Sequence, residues 1–320
     1  MAASVDVVIP TRDRPTRLRN LLGDLSTQSV RPARTVVVDD SETIGDVLGR
    51  VTDLALRVIR PTHRVFISEA KNLGWANTDA ELIAFVDDDN RLPPGLIGRL
   101  RDDLVRHPEW GAVMPGVLYW RRPDLVWVYA TPFRRDRWSF ELVGRNAPRS
   151  TDLESVPLAT DALPNFAMVR RSVLERVGGL DPRLPVNSSA DLCQRIKQAG
   201  WEVWADPSVL TYHDVEPPGV PGYWAEHTLE DRMRFRLEVA DWVKFQRRWN
   251  RRRTLFPTRA GIHSLGFLGP HFLALTARTP REVLPHAAAA ISGFREGLDL
   301  DLDPEMPRRP MEAALGGSRQ

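Results

Sequence analysis

Three short runs rich in β-branched residues each end in a polar or acidic cluster, and this pattern admits few folds. VDVVIP (5–10) leads into Thr11-Arg12-Asp13, RTVVVDD (34–40) ends at Asp39-Asp40 before Ser41, and ELIAFVDDD (81–89) ends in Asp87-Asp88-Asp89. Amphipathic stretches separate them. Leu18, Leu21, Leu22 and Leu25 share one face of a helix predicted over Pro15 to Leu25. LALRVIR (54–60) reads as another strand, a helix is predicted around Ala70 to Asn77, and Pro93-Pro94 opens a helix reaching about Arg106. Strands alternating with helices predict an α/β fold with a parallel sheet. Ligands of such sheets bind beyond the carboxyl ends of the strands, where the strand order switches. Carboxylates gathered there repel one another until a cation or a hydrogen-bonding ligand joins them.

The chemistry follows from what the strand ends contain and lack. IPTRDRP stands where a dinucleotide fold has G-x-G-x-x-G, and no P-loop is present. Phosphate charge must therefore be met by a metal and by Arg or Lys. Asp87-Asp88-Asp89 offers hard oxygen ligands to Mg²⁺ or Mn²⁺, which shares its other positions with a diphosphate and neutralises a departing nucleoside diphosphate. The competing reading is an acidic turn with Asn90 capping the next helix. A formal net charge of +2 gives no field for nucleic acid. The single cysteine, Cys193, excludes an intrachain disulfide and suits a reducing cytosol. MAASVDVVIP lacks the apolar core of a signal peptide, and Gly261 to Ala277 is interrupted by glycines, Pro270 and histidines. The expectation is a cytoplasmic protein, at most peripheral on the inner face of a membrane.

Further on, GAVMPGVLYW (111–120) and LVWVYA (125–130) read as strands, and FAMVRR (166–171) opens a unit that turns at Gly178-Gly179. A short helix is predicted from Asp191 to Ala199, then two strands, WEVWADP (201–207) and SVLTYHD (208–214). Beyond Pro217-Pro218 the chain changes to Arg- and Trp-rich helices. One, over 224–253, places Trp242, Phe245 and Trp249 on a stripe beside Lys244, Arg247, Arg248, Arg251, Arg252 and Arg253. That pattern fits an anionic membrane surface, into which IHSLGFLGPHFLAL (262–275) would dip. It also fits a helix packed on the preceding domain with a solvated basic face. Residues 299–320, rich in proline and ending GGSRQ, read as a disordered tail.

VVIPTRDRPTRLRNLL, VVVDDSE, AKNLGWANTDAELIAFVDDDNRLPPGLI, FAMVRRSVLERVGGLDPRL and ADLCQRIKQAGWEVWADPSVLTYHD together resemble the family 2 glycosyltransferases in residues, spacing and order. The likeness covers about residues 5–215. It implies a GT-A fold, a Rossmann-like, mixed but mostly parallel sheet flanked by helices. The domain would span 1–216, with a nucleotide-sugar half over 1–110 and an acceptor half over 111–216. A helical segment would follow over 217–298. The resemblance also implies roles. Asp40 would contact the nucleobase in a pocket walled by Pro10, Thr11 and Asp13, with Lys71 and Asn72 near base and ribose. Asp88 would face ribose or phosphate with Asp87 beside it, and Asp89 would bind Mn²⁺ or Mg²⁺. His213 would complete the metal site, or serve as an ordinary turn histidine.

The sequence departs from that pattern at one place. Relatives carry an acidic pair before an Asp-Leu dipeptide, whereas this chain reads Ser188-Ser189-Ala190-Asp191-Leu192. Ser189 stands where the catalytic base is expected and cannot deprotonate an acceptor unaided, which leaves Asp191 as the candidate base or an acceptor that is already an anion, such as a lipid phosphate. The expected activity is transfer of a sugar from a UDP, GDP or dTDP donor, with inversion, to a lipid-linked or natural-product acceptor. A silent or retaining sugar-nucleotide-binding homologue is the alternative. A sugar nucleotidyltransferase is disfavoured, because its Gly-rich loop with Lys is missing.

Overall fold

The computed structural model describes residues 3–41, 53–218, 232–250 and 256–299. Element labels below count the described elements in chain order. β1 (Val5–Thr11), β2 (Arg34–Asp39), β3 (Leu56–Ile59) and β4 (Leu82–Val86) form a parallel array in the order β3-β2-β1-β4. The strand order reverses between β1 and β4, so the crevice lies above the carboxyl ends of those two strands. Both faces of this sheet are covered, which is why its strands read as continuous apolar runs rather than alternating ones. Val7, Ile9, Val37 and Ala84 pack with α1 (Pro15–Ser26), while Val8, Val36, Val38 and Phe85 form the opposite cluster. All four predicted α1 leucines are fully buried, each contributing about 1.5–3 kcal/mol.

The second half extends the same sheet and makes it mixed. β6 (Trp110–Tyr119) and β12 (Glu202–His213) pair in parallel, and β11 (Phe166–Arg170) joins them to β4 by running antiparallel to both β4 and β6. Short strands β5 (Asn90–Arg91), β7 (Val126–Val128) and β10 (Leu158–Ala159) border it, and β8 (Phe133–Arg134) with β9 (Ser139–Phe140) makes a separate hairpin. The two strands predicted over 201–214 are one strand with a bulge. Register shifts between Asp206 and Leu210, where Pro207 has no amide to donate and Ser208 N donates to Asp206 Oδ1 at 2.9 Å. The bulge re-aims the second half of β12, so that His213 pairs with Asn90 of β5 at the edge of the crevice.

Two helix boundaries moved for local reasons. α2 covers Ile67–Trp75, starting ahead of the expected Ala70, because Glu69 Oε2 accepts the Phe66 amide at 2.9 Å and closes the first turn. α3 begins at Leu96 instead of at the proline pair, because Gly95 precedes it in a left-handed conformation at φ +86°. α4 (Arg171–Val177) ends at the expected Gly178-Gly179 turn, and α5 spans Ser188–Gln198.

The C-terminal helices are α6 (Arg232–Trp249), α7 (Phe256–Arg278) and α8 (Val283–Asp299). Among the described residues no helix is long and apolar enough to cross a membrane. The aromatic stripe of α6 faces the sheet domain, not a bilayer. Phe245 is buried against Leu184, Ala190, Phe133 and Phe140, and Trp242 packs with Trp138 and Phe256. Trp249 donates its indole N–H to Asp191 Oδ1 at 2.9 Å. The basic residues expected on a free face are also engaged. Arg248 is buried and bridges Asp181 (2.7 Å) and Asp191 (3.0 Å), Arg247 donates to the Leu298 carbonyl, and Lys244 lies 3.7 Å from Glu296. Arg251, Arg252 and Arg253, and the proposed tail from 300, lie outside the described residues.

α6 is thus fastened to the second half of the sheet domain by a buried ionic cluster. Breaking a buried pair from one side leaves an uncompensated charge and costs about 3–5 kcal/mol. Arg248→Ala is expected to destabilise the protein by that amount in chemical denaturation. A solvent-facing basic stripe predicts almost no change.

Candidate functional site

The three strand ends meet in one pocket of about 420 Å³, lined by Pro10, Thr11, Arg12, Arg14, Asp40 and Asp87 to Asp89 from the strands. Arg64, Val65, Phe66, Ile67 and Ala70 close the other side. Each predicted carboxylate arrives by its own route. Asp40 is positioned by its amide, which donates to the Thr11 carbonyl at 3.1 Å and so locks the end of β2 to the end of β1. Its Oδ2 is buried with no hydrogen bond, and the Arg12 guanidinium lies 3.9 Å away. Asp39 points elsewhere, towards the Ser41 amide at 3.0 Å and Arg60 at 3.4 Å.

The triplet after β4 divides its labour. Asp87 takes an ion pair from Lys71 at 2.8 Å. Asp88 accepts the Thr11 hydroxyl at 2.7 Å through Oδ2 and Arg14 at 3.1 Å through Oδ1. Asp89 receives Arg14 at 3.0 Å on Oδ2, with Arg17 at 3.7 Å, while its Oδ1 turns to His213 Nε2 at 3.4 Å. Burial pushes the Asp88 carboxyl above its usual pKa, with Arg14 opposing and Asp89 reinforcing the rise. Burial would do the same to Asp89, but His213, Arg14 and Arg17 outweigh it and hold that carboxyl well below the ordinary range. Asn90 does not cap a helix. Its side-chain amide donates to the carbonyls of Asp87 (2.9 Å) and Asn165 (3.3 Å), fixing the turn that carries the carboxylates.

The donor set passes a simple test for a hard divalent ion. Asp89 Oδ1 is buried and makes no hydrogen bond, and it faces an imidazole nitrogen. The carboxylate oxygen suits Mn²⁺ or Mg²⁺, and the imidazole nitrogen beside it favours Mn²⁺ of the two. Among the described residues no three His, Cys, Asp or Glu side chains are gathered tightly enough to hold an ion. The remaining positions therefore fall to a ligand and water.

Several residues expected at the site sit differently. Asn72 is tied into the scaffold: its amide exchanges hydrogen bonds with the Leu180 backbone at 2.8 and 2.9 Å and accepts the Trp75 indole N–H at 3.3 Å. Gly179 lies so close that an added Cβ would stand 2.7 Å from Asn72 Oδ1, which explains the glycine. Lys71 reaches the pocket only through Asp87. Asp13 adopts φ +52°, donates its amide to Ser41 Oγ at 2.7 Å and turns its side chain towards Arg12 instead of walling the pocket.

Asp191 is fully buried, with Oδ2 taken by Arg195 at 2.8 Å and Oδ1 by Trp249 and Arg248. Neither oxygen is open to an acceptor. Ser189 lies half-buried at the start of α5, just beyond a loop whose Val186 and Asn187 amides donate to buried Asp241 of α6 at 3.2 and 2.8 Å. Burial pushes the Asp241 carboxyl up to about 7 against those donated bonds.

Reading the sequence alone missed Arg12 and Arg14, although TRDRP directly after a first strand was the available signal, and it missed Phe66 and Ile67. The latter are large apolar side chains left exposed at the start of α2, a position suited to stacking on a flat ring.

Comparisons with known proteins agree with this geometry. A pre-mycofactocin glycosyltransferase of Mycobacterium tuberculosis is 28% identical over 219 residues, covering 66% of this chain and 42% of the relative. The chain thus spans about two-fifths of that relative's length. In fold, the chain is similar to a mannosyltransferase from Pyrobaculum calidifontis in complex with GDP-Man and Mn²⁺. That structure has a TM-score of 0.57 and 20% identity, with 99% of this chain and 86% of that one covered. It is also similar to S. aureus TarS 1–349 in complex with UDP-GlcNAc, with a TM-score of 0.58 and 14% identity, covering 92% and 81%. The model of glycosyl transferase family 2 matches residues 6–178, and the chain, with its GT-A sheet and its carboxylates at the β1–β4 crevice, belongs to that family.

Proposed function

We infer that the protein transfers a sugar from a nucleoside-diphosphate donor, with a divalent metal held by Asp89 and His213 and completed by the donor's diphosphate. The observation carrying this reading is the single pocket where Asp40, Asp88 and Asp89 meet Arg12 and Arg14 beneath an apolar rim. Asp40, with its unbonded carboxylate oxygen, reads the edge of the base, which Phe66 and Ile67 cover. Thr11 and Lys71 orient Asp88 and Asp87 from either side. The metal, when bound, supplies neutralisation of the charge that grows on the leaving diphosphate. Arg12 and Arg14 bring further positive charge to the same pocket, which shields the phosphates without a glycine-rich loop.

The acceptor side limits the chemistry. General-base help for a neutral hydroxyl is worth about 10²–10⁴-fold. Ser189 has no basic group, and Asp191 is committed to Arg195, Arg248 and Trp249. We therefore read Asp191 as a scaffold residue and the acceptor as one that arrives already ionised, a phosphate or carboxylate attacking with inversion. A donor-binding homologue without turnover is the second reading, favoured by the same serine.

Contact with an anionic membrane surface, where it occurs, we assign to α7 and α8 instead of α6. Ile262, Leu273, Leu284 and Ile291 are exposed there, the last two on one stripe of α8.

Three measurements test these readings. In calorimetry, Asp89→Asn is expected to lose Mn²⁺-dependent affinity for a nucleoside diphosphate by at least about tenfold, or 1.4 kcal/mol, while remaining folded. Unchanged affinity in a folded variant removes the metal assignment. With phosphate acceptors, anionic throughout the carboxylate pH range, turnover is expected to show no base-dependent limb there, and Ser189→Asp is expected to slow it by repulsion. A variant that instead switches on transfer to hydroxyl acceptors, in a native protein with no transfer at all, establishes the silent-binder reading. Leu273→Asp with Leu284→Asp is expected to abolish cosedimentation with vesicles of anionic lipid. Retained cosedimentation, or none by the native protein, excludes that surface.

A further inference from the structure

One cation already bridges Asp89, which the proposed metal would use, and its neighbour Asp88. Arg14 Nη1 stands 3.1 Å from Asp88 Oδ1 and 3.0 Å from Asp89 Oδ2, with Arg17 3.7 Å from the same Asp89 oxygen. We propose that Arg14 is the resident counter-cation of the metal-free site, and that it and the divalent ion compete for Asp89. The proposal rests on the donor-site reading above and adds a residue that exchanges partners as the donor loads.

The local backbone explains why Arg14 occupies this place. Asp13 is held in the left-handed region at φ +52° with its amide on Ser41, a conformation that a non-glycine residue rarely adopts. Pro15 opens α1 and restricts the residue before it. Arg14 is thus pinned at its Cα between two constrained neighbours, and its side chain is aimed across the β1–β4 crevice. The side chain itself is not buried, since about half of it (49%) remains exposed, so it can leave the carboxylates without disturbing the core. Two buried carboxylates side by side would otherwise repel, and a guanidinium supplies two adjacent donors that neutralise them.

A divalent ion entering at Asp89 Oδ1 and His213 meets this arrangement unfavourably. Like charges a few Å apart repel strongly in a partly buried site. Metal alone must displace Arg14 into solvent and lose its two charge-assisted bonds. Metal arriving with a nucleoside diphosphate brings new anionic oxygens into the pocket that Arg14 already lines, so the displaced guanidinium finds a replacement partner. Metal and nucleotide are therefore coupled through Arg14, and coupling of this kind is reciprocal. An Arg14 that merely braced the strand ends would give no such coupling.

Calorimetric titration of the full chain with MnCl₂ alone, with UDP or GDP alone, and with both decides the matter. Three proteins are compared: native, Arg14→Gln and Arg14→Lys. Arg14→Gln is expected to bind Mn²⁺ alone about tenfold more tightly than the native protein, and to show less mutual enhancement between metal and nucleotide. Its metal-free melting temperature should fall, and Mn²⁺ should restore it by more than it raises the native value, because the ion replaces the lost charge. Arg14→Lys keeps the charge and should stay close to native in both respects. Equal or weaker binding of Mn²⁺ alone by folded Arg14→Gln overturns the competition while leaving the donor site standing. Failure of the native protein to bind either nucleotide, with or without Mn²⁺, overturns the donor reading and this proposal together.

Discussion

Charge concentrated at the carboxyl ends of β1, β2 and β4 is the constraint around which the rest of the molecule is organised. Parallel strands place Thr11, Asp39-Asp40 and the Asp87–Asp89 triplet on one rim, and apolar strand interiors leave these groups nowhere else to go. The fold answers with distributed positive charge. Lys71 from α2 meets Asp87, Arg14 and Arg17 from the start of α1 meet Asp88 and Asp89, and Arg60 after β3 meets Asp39. The cations come from three separate parts of the chain, so the rim is assembled only when the whole parallel array has closed.

The second half of the sheet domain shows the same logic in a drier setting. Asp181 and Asp191 are fully buried, and Arg183, Arg195 and Arg248 surround them. Arg183 and then Arg248 more than offset the burial that would raise the Asp181 pKa. Buried ion pairs of this kind add little net stability over well-packed apolar groups, yet they specify geometry, because each charge tolerates few positions for its partner. Here the geometry specified is the docking of α6. Arg248 and Trp249 reach Asp191 at the start of α5, and Asp241 receives the amides of Val186 and Asn187 just before it. The C-terminal segment thus braces α5 and the loop before it.

Much of this was legible in the sequence. The strand runs, the α1 leucines, the turn at Gly178-Gly179 and the carboxylate rim follow from period and from residue type. What failed shares one physical cause. Trp242, Phe245 and Trp249 at helical spacing state that α6 has an apolar face, but spacing cannot say whether protein or lipid covers it. Arg248 sits in a basic run and is indistinguishable there from a solvated neighbour, since only the distant Asp181 and Asp191 make it a buried one. Asn72 likewise lies in a motif that promises ligand contact, while its partners at Leu180 are far along the chain. Local patterns report what a side chain is able to do. Long-range packing decides which of those options is used.

The same distinction bears on Asp191. In sequence it was the one carboxylate left near the position where a base is expected. In three dimensions it is fully buried, with a guanidinium on one oxygen and a guanidinium and an indole on the other, so no acceptor reaches it. A base must offer a lone pair to the proton it removes, in a place the acceptor can reach, and Asp191 fails the second condition. Ser189 would have little use for a nearby carboxylate if its acceptor were anionic, because a second negative charge would raise the barrier it is meant to lower. Under the proposed function, Ser188-Ser189 and a cationic pocket are compatible: together they would suit an enzyme whose nucleophile needs no activation and whose leaving group still does.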